Sequence, residues 1–254
     1  MTAASREDIR RELLSRIPRW YSPRLHLAIP AVTGVVLIAF ALSRIEDLRA
    51  WQVAFVPLFL AFGNAVEWHA HKGLLHTKTW PLEELYFRHT PQHHAIYVSE
   101  DMYVRDFREL KFVLLPAYGV LAIAVVTSPI TAAFWVAGQR NLAALWLASV
   151  VFYLLTYEWF HLAYHMPADG AIGRWRVTRW LRRHHQRHHS PRLMQTWNFN
   201  VTLPLWDHVR GTVYQAPEEG PDGVLAGADS TASGRSHPLT REPRSGTRPP
   251  DPIV

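Results

Sequence analysis

The chain has 254 residues, with 27 Lys and Arg against 21 Asp and Glu and a formal net charge of +6. The length suits one or two domains, and the basic balance suits an acidic partner such as nucleic acid or an anionic membrane surface. The absence of Cys excludes a disulfide, a thiolate zinc site and an iron–sulfur cluster held by this chain.

Residues 1–24 carry six Arg and no apolar core ahead of a small-residue cleavage site, so no cleavable signal peptide is expected. Ser5 followed by Asp8 resembles a capping box, and Ile9, Leu13 and Ile17 recur at helical spacing. This predicts a short basic helix, either lying on a membrane surface or solvated as an amphipathic arm. Four apolar stretches follow: Leu25–Leu42, Trp51–Val66, Phe112–Gly138 and Leu142–Phe160. A helix crossing the hydrocarbon layer needs roughly 20 residues. The first and fourth stretches fit that length. The second reaches it by borrowing residues up to Trp68, and the third contains Pro116 and Pro129, which predict a kink or a break. Eleven Trp and nine Tyr beside these blocks suit the membrane interface.

The spacing predicts an all-α integral membrane protein with four transmembrane helices in two hairpins. Residues 1–24, 67–111 and 166–254 carry 24 Lys and Arg, against three in the two hairpin turns (Arg44, Arg49 and Arg140). By the positive-inside rule both termini and the central segment are expected on the cytoplasmic side. Three regions result: a cytoplasmic arm over 1–24, a membrane-embedded domain over 25–214 and a tail over 215–254. The tail is rich in Pro, Gly, Ser, Thr and charge, without an apolar period, and is expected to lack order.

Ten of the fifteen His fall in four clusters at cytoplasmic span ends or in cytoplasmic segments. They are His71 and His76; His89, His93 and His94; His161 and His165; and His185, His188 and His189. Residues three or four apart share a helix face, so His161 and His165 point together, and His185, His188 and His189 form a face offering three imidazoles. His71 and His76 are five apart, about 140° around an ideal helix, and converge only across a bulge or helix end near Gly73, or else serve different metals. In the second cluster Thr90 suits an N-cap and Pro91 a first helical position, so His89 precedes a helix whose first turn holds His93 and His94. Imidazole suits zinc, copper, iron and nickel. Ten rings could give five ligands to each of two metals and leave an open position on each. A nucleic-acid surface would account for His184–His189 with Arg182, Arg183 and Arg187, but not for the pair closing a span, so no nucleic acid is expected as partner.

These clusters resemble the histidine boxes of the fatty acid hydroxylase/sterol desaturase superfamily: HX4H (His71/His76), HX2–3HH (His89/His93/His94), HX3H (His161/His165) and HX2HH (His185/His188/His189). The segment NFNVTLPLWDHVRGT is similar to the family's NFG…LWDRLFGT ending and places Asn198, Trp206, Asp207, Gly211 and Thr212. Asn200 stands where Gly is usual, His208 where Arg is usual, and the second box has three intervening residues. These departures bear on subfamily and substrate rather than on the metal site. The resemblance spans residues 25–214. It implies a centre of two iron ions (zinc is not excluded by a His-only set), molecular oxygen as co-substrate, a membrane lipid as substrate and an external electron-donor protein, since no flavin or cytochrome-type domain is recognisable here. Hydrogen abstraction followed by hydroxylation gives an alcohol; a second hydrogen loss gives a double bond.

A fatty acyl or sphingolipid chain is the first expectation for substrate. A lipid or sterol desaturase and a sterol or carotenoid hydroxylase fit the same boxes. A metal- or haem-binding membrane protein without oxygenase turnover and a zinc-dependent lipid hydrolase are the readings from other classes. His69 and His184 adjoin box residues outside the spacing, and with Glu158, Asn198 and Asp207 they are candidates to support the ligands from behind. Tyr97, Tyr157 and Tyr164 are candidates to line a substrate path, and Lys72, Arg88 and Arg187 to hold an anionic head or a donor.

Overall fold

A computed structural model describes residues 2–216. Nearly all of the tail expected to lack order lies outside the described residues. The part up to Tyr214 forms one compact unit, and its regular elements are all helices.

The first helix, α1 (Ala3–Ser15), starts one turn earlier than the capping pattern predicts. Thr2 is the cap, its hydroxyl accepting the Ser5 N–H at 3.2 Å, and Asp8 pairs with Arg11 instead. Nor is α1 a free arm. Ile9, Leu13 and Leu14, with Ile17 beyond the helix end, pack on a core containing Ile96, Tyr97 and Leu110. Arg10 is 3% exposed and donates to Glu109 at 2.5 Å and to the Ile96 carbonyl at 3.1 Å. One face of α1 is thus docked by a buried ion pair whose partner lies far along the sequence, while Asp8, Arg11 and Glu12 on the rest of it stay exposed.

Ser22 caps α2 (Pro23–Leu42), with Pro23 in the first turn where its missing N–H costs nothing. A short α3 (Ala50–Val53) leads into α4 (Phe55–Ala70), which continues as a π turn, His71–Leu75. Together Ala50–Leu75 make one apolar helical run of 26 residues, so the short second stretch does reach spanning length. Next come α5 (Glu83–Arg88), a second π turn (His89–His93) and α6 (His94–Ile96). The third apolar stretch breaks near Pro116: α7 (Leu110–Val113) ends before it and α8 (Gly119–Val136) begins after it, while Pro129 is accommodated inside α8. The break is held from behind. Glu158 accepts the Leu115 N–H at 3.1 and 3.2 Å, and His26 Nε2 bonds the Leu115 carbonyl at 2.7 Å.

The hub is α9 (Arg140–His165), which packs against α2, α4, α8 and α10 (Arg176–His188). A last short helix, α11 (Leu205–Arg210), lies against α4. Four helices are long and apolar enough to cross a membrane: Pro23–Leu42, Ala50–Leu75, Gly119–Val136 and Arg140–His165. Their outward faces expose Val32, Val36, Phe62, Val125, Val126 and Phe152, a pattern that suits lipid rather than water. Among them α9 is the most enclosed, and its 26 residues run about 39 Å at 1.5 Å per residue, longer than the roughly 30 Å hydrocarbon layer. Its last turn carries His161 and His165 beyond the apolar stretch.

Candidate metal centre

The ten histidines of the four clusters come together in two groups of five. His71, His76, His89, His94 and His188 form a first pocket, and His93, His161, His165, His185 and His189 a second. In each, one ring nitrogen per residue lies within 4.8 Å of the others. All ten side chains are at most 7% exposed, so water does not compete for these nitrogens from outside.

Local backbone winding sorts the rings. The second pocket uses two i,i+4 pairs on regular helix, His161/His165 on α9 and His185/His189 at the end of α10, as helical geometry dictates. The first uses two i,i+5 pairs, His71/His76 and His89/His94. A π turn closes i→i+5 hydrogen bonds, so its wider winding brings residues five apart nearly into line, and a π turn occupies each interval. The 140° obstacle between His71 and His76 disappears for that reason. The second cluster is corrected likewise: His89 does not precede a helix but opens the π turn, and Pro91 sits inside it. Thr90 donates its hydroxyl to the Leu75 carbonyl at 2.8 Å rather than capping. A single face of α10 does not serve one metal either, since His188 joins the first pocket and its neighbours His185 and His189 the second. Thus the consecutive pairs His93–His94 and His188–His189 are each split between the pockets.

Backbone carbonyls fix the ring orientations. Nδ1 donates to a carbonyl in His71 (Phe199), His93 (Phe112, 2.9 Å), His165 (Met102, 2.7 Å), His188 (Trp197, 3.0 Å) and His189 (Tyr97, 2.8 Å). A carbonyl only accepts, so Nδ1 carries the proton and Nε2 presents a lone pair. Two such lone pairs then face each other at 3.2 Å between His93 and His189. His71 Nε2 meets His89 Nε2 at 2.9 Å, and His76 meets His188 at 3.1 Å. The Nε2 atoms of His161 and His165 are buried with no hydrogen-bond partner. A proton between facing rings is disfavoured. Burial first, and the neighbouring rings second, depress His89, His93, His94, His185 and His189 well below the usual imidazole range. The same causes take His76 to about 3, and burial takes His188 to about 4 against the pull of the Trp197 carbonyl. Neutral, converging, unpaired imidazole nitrogens at these separations fit a metal ion, because ligands about 2.1 Å from one metal at right angles lie about 3.0 Å apart.

The candidate supporting residues behave differently from one another. Asp207 accepts from His184 Nε2 (2.9 Å), the N–H groups of Phe199 (3.0 Å) and Asn200 (2.8 Å), Trp68 Nε1 (3.1 Å) and Thr212 Oγ1 (2.7 Å). Burial pushes this carboxyl up, but the donors outweigh it and hold it below the usual range. Asp207 therefore does not touch a ring of either pocket; it fixes the segment whose carbonyls do. Asn198 adopts φ +59°, tolerable for Asn, and bonds the His184 carbonyl at 2.9 Å. Its turn sets the Trp197 and Phe199 carbonyls towards His188 and His71. Two expectations fail. Glu158 binds the Leu115 N–H, not an imidazole, and His69 is exposed on the outside of α4, beside Trp68 and Trp206. Tyr97 and Tyr164 are fully buried with hydroxyls committed to Glu109 and the Val201 carbonyl, and Arg88 donates to the Lys111 and Leu114 carbonyls. Asn64 and Glu67 were not legible as site residues because they lie in an apolar run and act largely on backbone, and Glu109 because it acts through the distant Arg10 and Tyr97 side chains.

With this geometry in hand, comparison with known proteins is decisive for the family. The fatty acid hydroxylase family model matches residues 56–212, more than half of the chain and all ten histidines. The chain belongs to the fatty acid hydroxylase family. Members are membrane-bound oxidoreductases of the hydroxylase/desaturase type and iron-dependent in general, in keeping with four apolar helices and histidine pockets able to bind metal. Searches of curated proteins and of solved structures gave no match.

Proposed function

We propose that this protein hydroxylates a membrane lipid with molecular oxygen at two iron ions, a fatty acyl or sphingolipid chain being the first candidate. The observation that carries this reading is the pair of adjacent, buried pockets, each bringing a ring nitrogen from five imidazoles within 4.8 Å of one another. His71, His76, His89, His94 and His188 would hold one ion, and His93, His161, His165, His185 and His189 the other. When bound, the iron pair supplies reductive activation of oxygen and removal of hydrogen from an unactivated C–H bond. Overall, R–H, O2, two electrons and two protons give R–OH and water, the electrons coming from an external donor protein. The chain's own work is positional. Carbonyl-anchored rings keep the ligand set preformed, and enclosure excludes water from a strongly oxidising reaction. An open apolar groove of about 590 Å3 lies on the outer side of α4, lined by Phe62, Ala65, Val66, His69, Ala70, Leu74 and Trp206, and is a suitable seat for a lipid chain. The Lys and Arg distribution supports two hairpins with both termini and the metal centre on the cytoplasmic side.

The test is lipid mass spectrometry on cells with and without the gene, grown under oxygen-18 gas. A lipid gaining one labelled oxygen only when the gene is present establishes hydroxylation and identifies the substrate. Loss of two hydrogens without label assigns a desaturase instead. No oxygen-dependent change in any lipid, sterols and carotenoids included, overturns the oxygenase reading.

A further inference from the structure

We infer that Glu67, inside the second span, is a positioning residue for the first metal pocket, acting through the segment Phe199–Thr202. The inference rests on reading the two five-imidazole sets as metal pockets. Asn64, Glu67, Trp68 and His71 recur at i, i+3, i+4 and i+7, so they share one face of the α4 run. That face grips the C-terminal segment at successive points. Glu67 accepts the N–H groups of Val201 and Thr202 (3.1 Å) and the hydroxyls of Thr202 (2.6 Å) and Tyr153. Asn64 donates to the Leu203 carbonyl at 2.8 Å and accepts from the Trp206 N–H at 2.8 Å. Its own carbonyl receives Asn200 Nδ2 at 3.0 Å. Trp68 reaches Asp207 and Thr212.

A carboxylate in a membrane span is costly and needs a purpose. Four donors from the protein offset that cost here. What they secure is a short stretch of chain lying between Trp197, whose carbonyl orients His188, and the end of α4, where Phe199 orients His71. Both rings belong to the first pocket. The carbonyls that orient the second pocket come from Tyr97, Met102 and Phe112, none of which Glu67 touches. A residue that merely held the fold together would serve both pockets equally. The ring-orienting carbonyls nearest Glu67's partners serve the first pocket; towards the second, Val201 offers only its carbonyl to the Tyr164 hydroxyl, a side chain that orients no ring by a hydrogen bond.

The test uses purified full-length protein in lipid nanodiscs, with cobalt(II) as the probe. Titration is followed by absorption and metal analysis, and the His76→Ala and His161→Ala variants assign the signal of each pocket. Removing a group that orients a ligand typically weakens metal affinity by about 10–100-fold. Glu67→Ala should weaken the first pocket by about 100-fold while the second titrates as in wild type. Glu67→Gln, which keeps one carbonyl oxygen for the Val201 and Thr202 N–H groups, should weaken the first pocket by about tenfold only. Equal loss at both pockets, or no loss at either, in the Gln variant overturns the role, and this variant decides the matter if the Ala protein does not fold. Wild-type protein that takes up no cobalt at either pocket overturns the metal-centre reading itself, a result distinct from wild-type uptake with unselective variants.

Discussion

The two pockets reach the same composition, five buried imidazoles each, by different backbone routes. The second is assembled from regular α-helix, with i,i+4 pairs on α9 and α10 completed by His93. The first is assembled from two π turns, with i,i+5 pairs completed by His188. Its orienting carbonyls come from the segment after α10, whereas those of the second come from the 97–112 stretch. The lesson is that one pocket follows from helix periodicity and the other from a departure from it, so the two should fail in different ways.

Removing a ligand should give the largest effect and separate the pockets. His188→Ala is expected to cost the first-pocket metal and His165→Ala the second, each lowering lipid oxidation by more than about 100-fold, the upper end seen even for indirect support of a ligand. Metal analysis beside product assay checks this; wild-type activity in both variants would falsify the ligand assignment. Next, Glu109→Ala should strike the second pocket through α1. It strands Arg10 in a buried site and unhooks Tyr97, whose carbonyl orients His189. A loss of about 3–5 kcal/mol in unfolding free energy is expected, with second-pocket affinity falling before the first. Denaturant titration and metal titration of the same variant read both.

Acid should erase the difference between the pockets. In metal-free protein, burial holds the folded pKa values of His76 and His188 below the unfolded 6.5, at about 3 and about 4. The unfolded chain therefore binds more protons below pH 6.5, and stability, complete above that pH, is lost as pH falls towards the folded values. Between pH 6.5 and 5 these two residues alone account for about 3 kcal/mol. Thermal melts of metal-free protein that hold steady from pH 7 to 5 would contradict it. The smallest effect sharpens the account of the π turn. A Cβ at Gly73 meets nothing within 4 Å and φ there is not positive, so Gly73→Ala should stabilise by about 0.5–1 kcal/mol and leave first-pocket metal content unchanged. A loss of metal would show that the turn needs glycine after all.

Much of this was legible from the residues. The four spans could be read from apolar length, and all ten pocket histidines from their clustering, because ligand rings must recur at distances a helix can reconcile. The assignment of rings to pockets could not be read. An i,i+5 pair is ambiguous until the π turn is seen, and the neighbours His188 and His189 give no sign that they diverge. The docking of α1 was hidden too, since 99 residues and two long apolar helices separate Arg10 from Glu109 in the sequence. Support from behind the ligands was the least visible, because it comes largely from main-chain carbonyls, which no side-chain pattern announces. Asp207 and Asn198 were recognised as candidates, yet both act on the backbone of 197–200 rather than on a ring.

One last consequence belongs to the split neighbours His93–His94 and His188–His189. Each pair puts a single peptide unit, about 3.8 Å from Cα to Cα, between a ring of one pocket and a ring of the other. The gap across the centre is thus gauged twice by covalent bonds. The two pockets cannot drift apart without breaking a ring's hold.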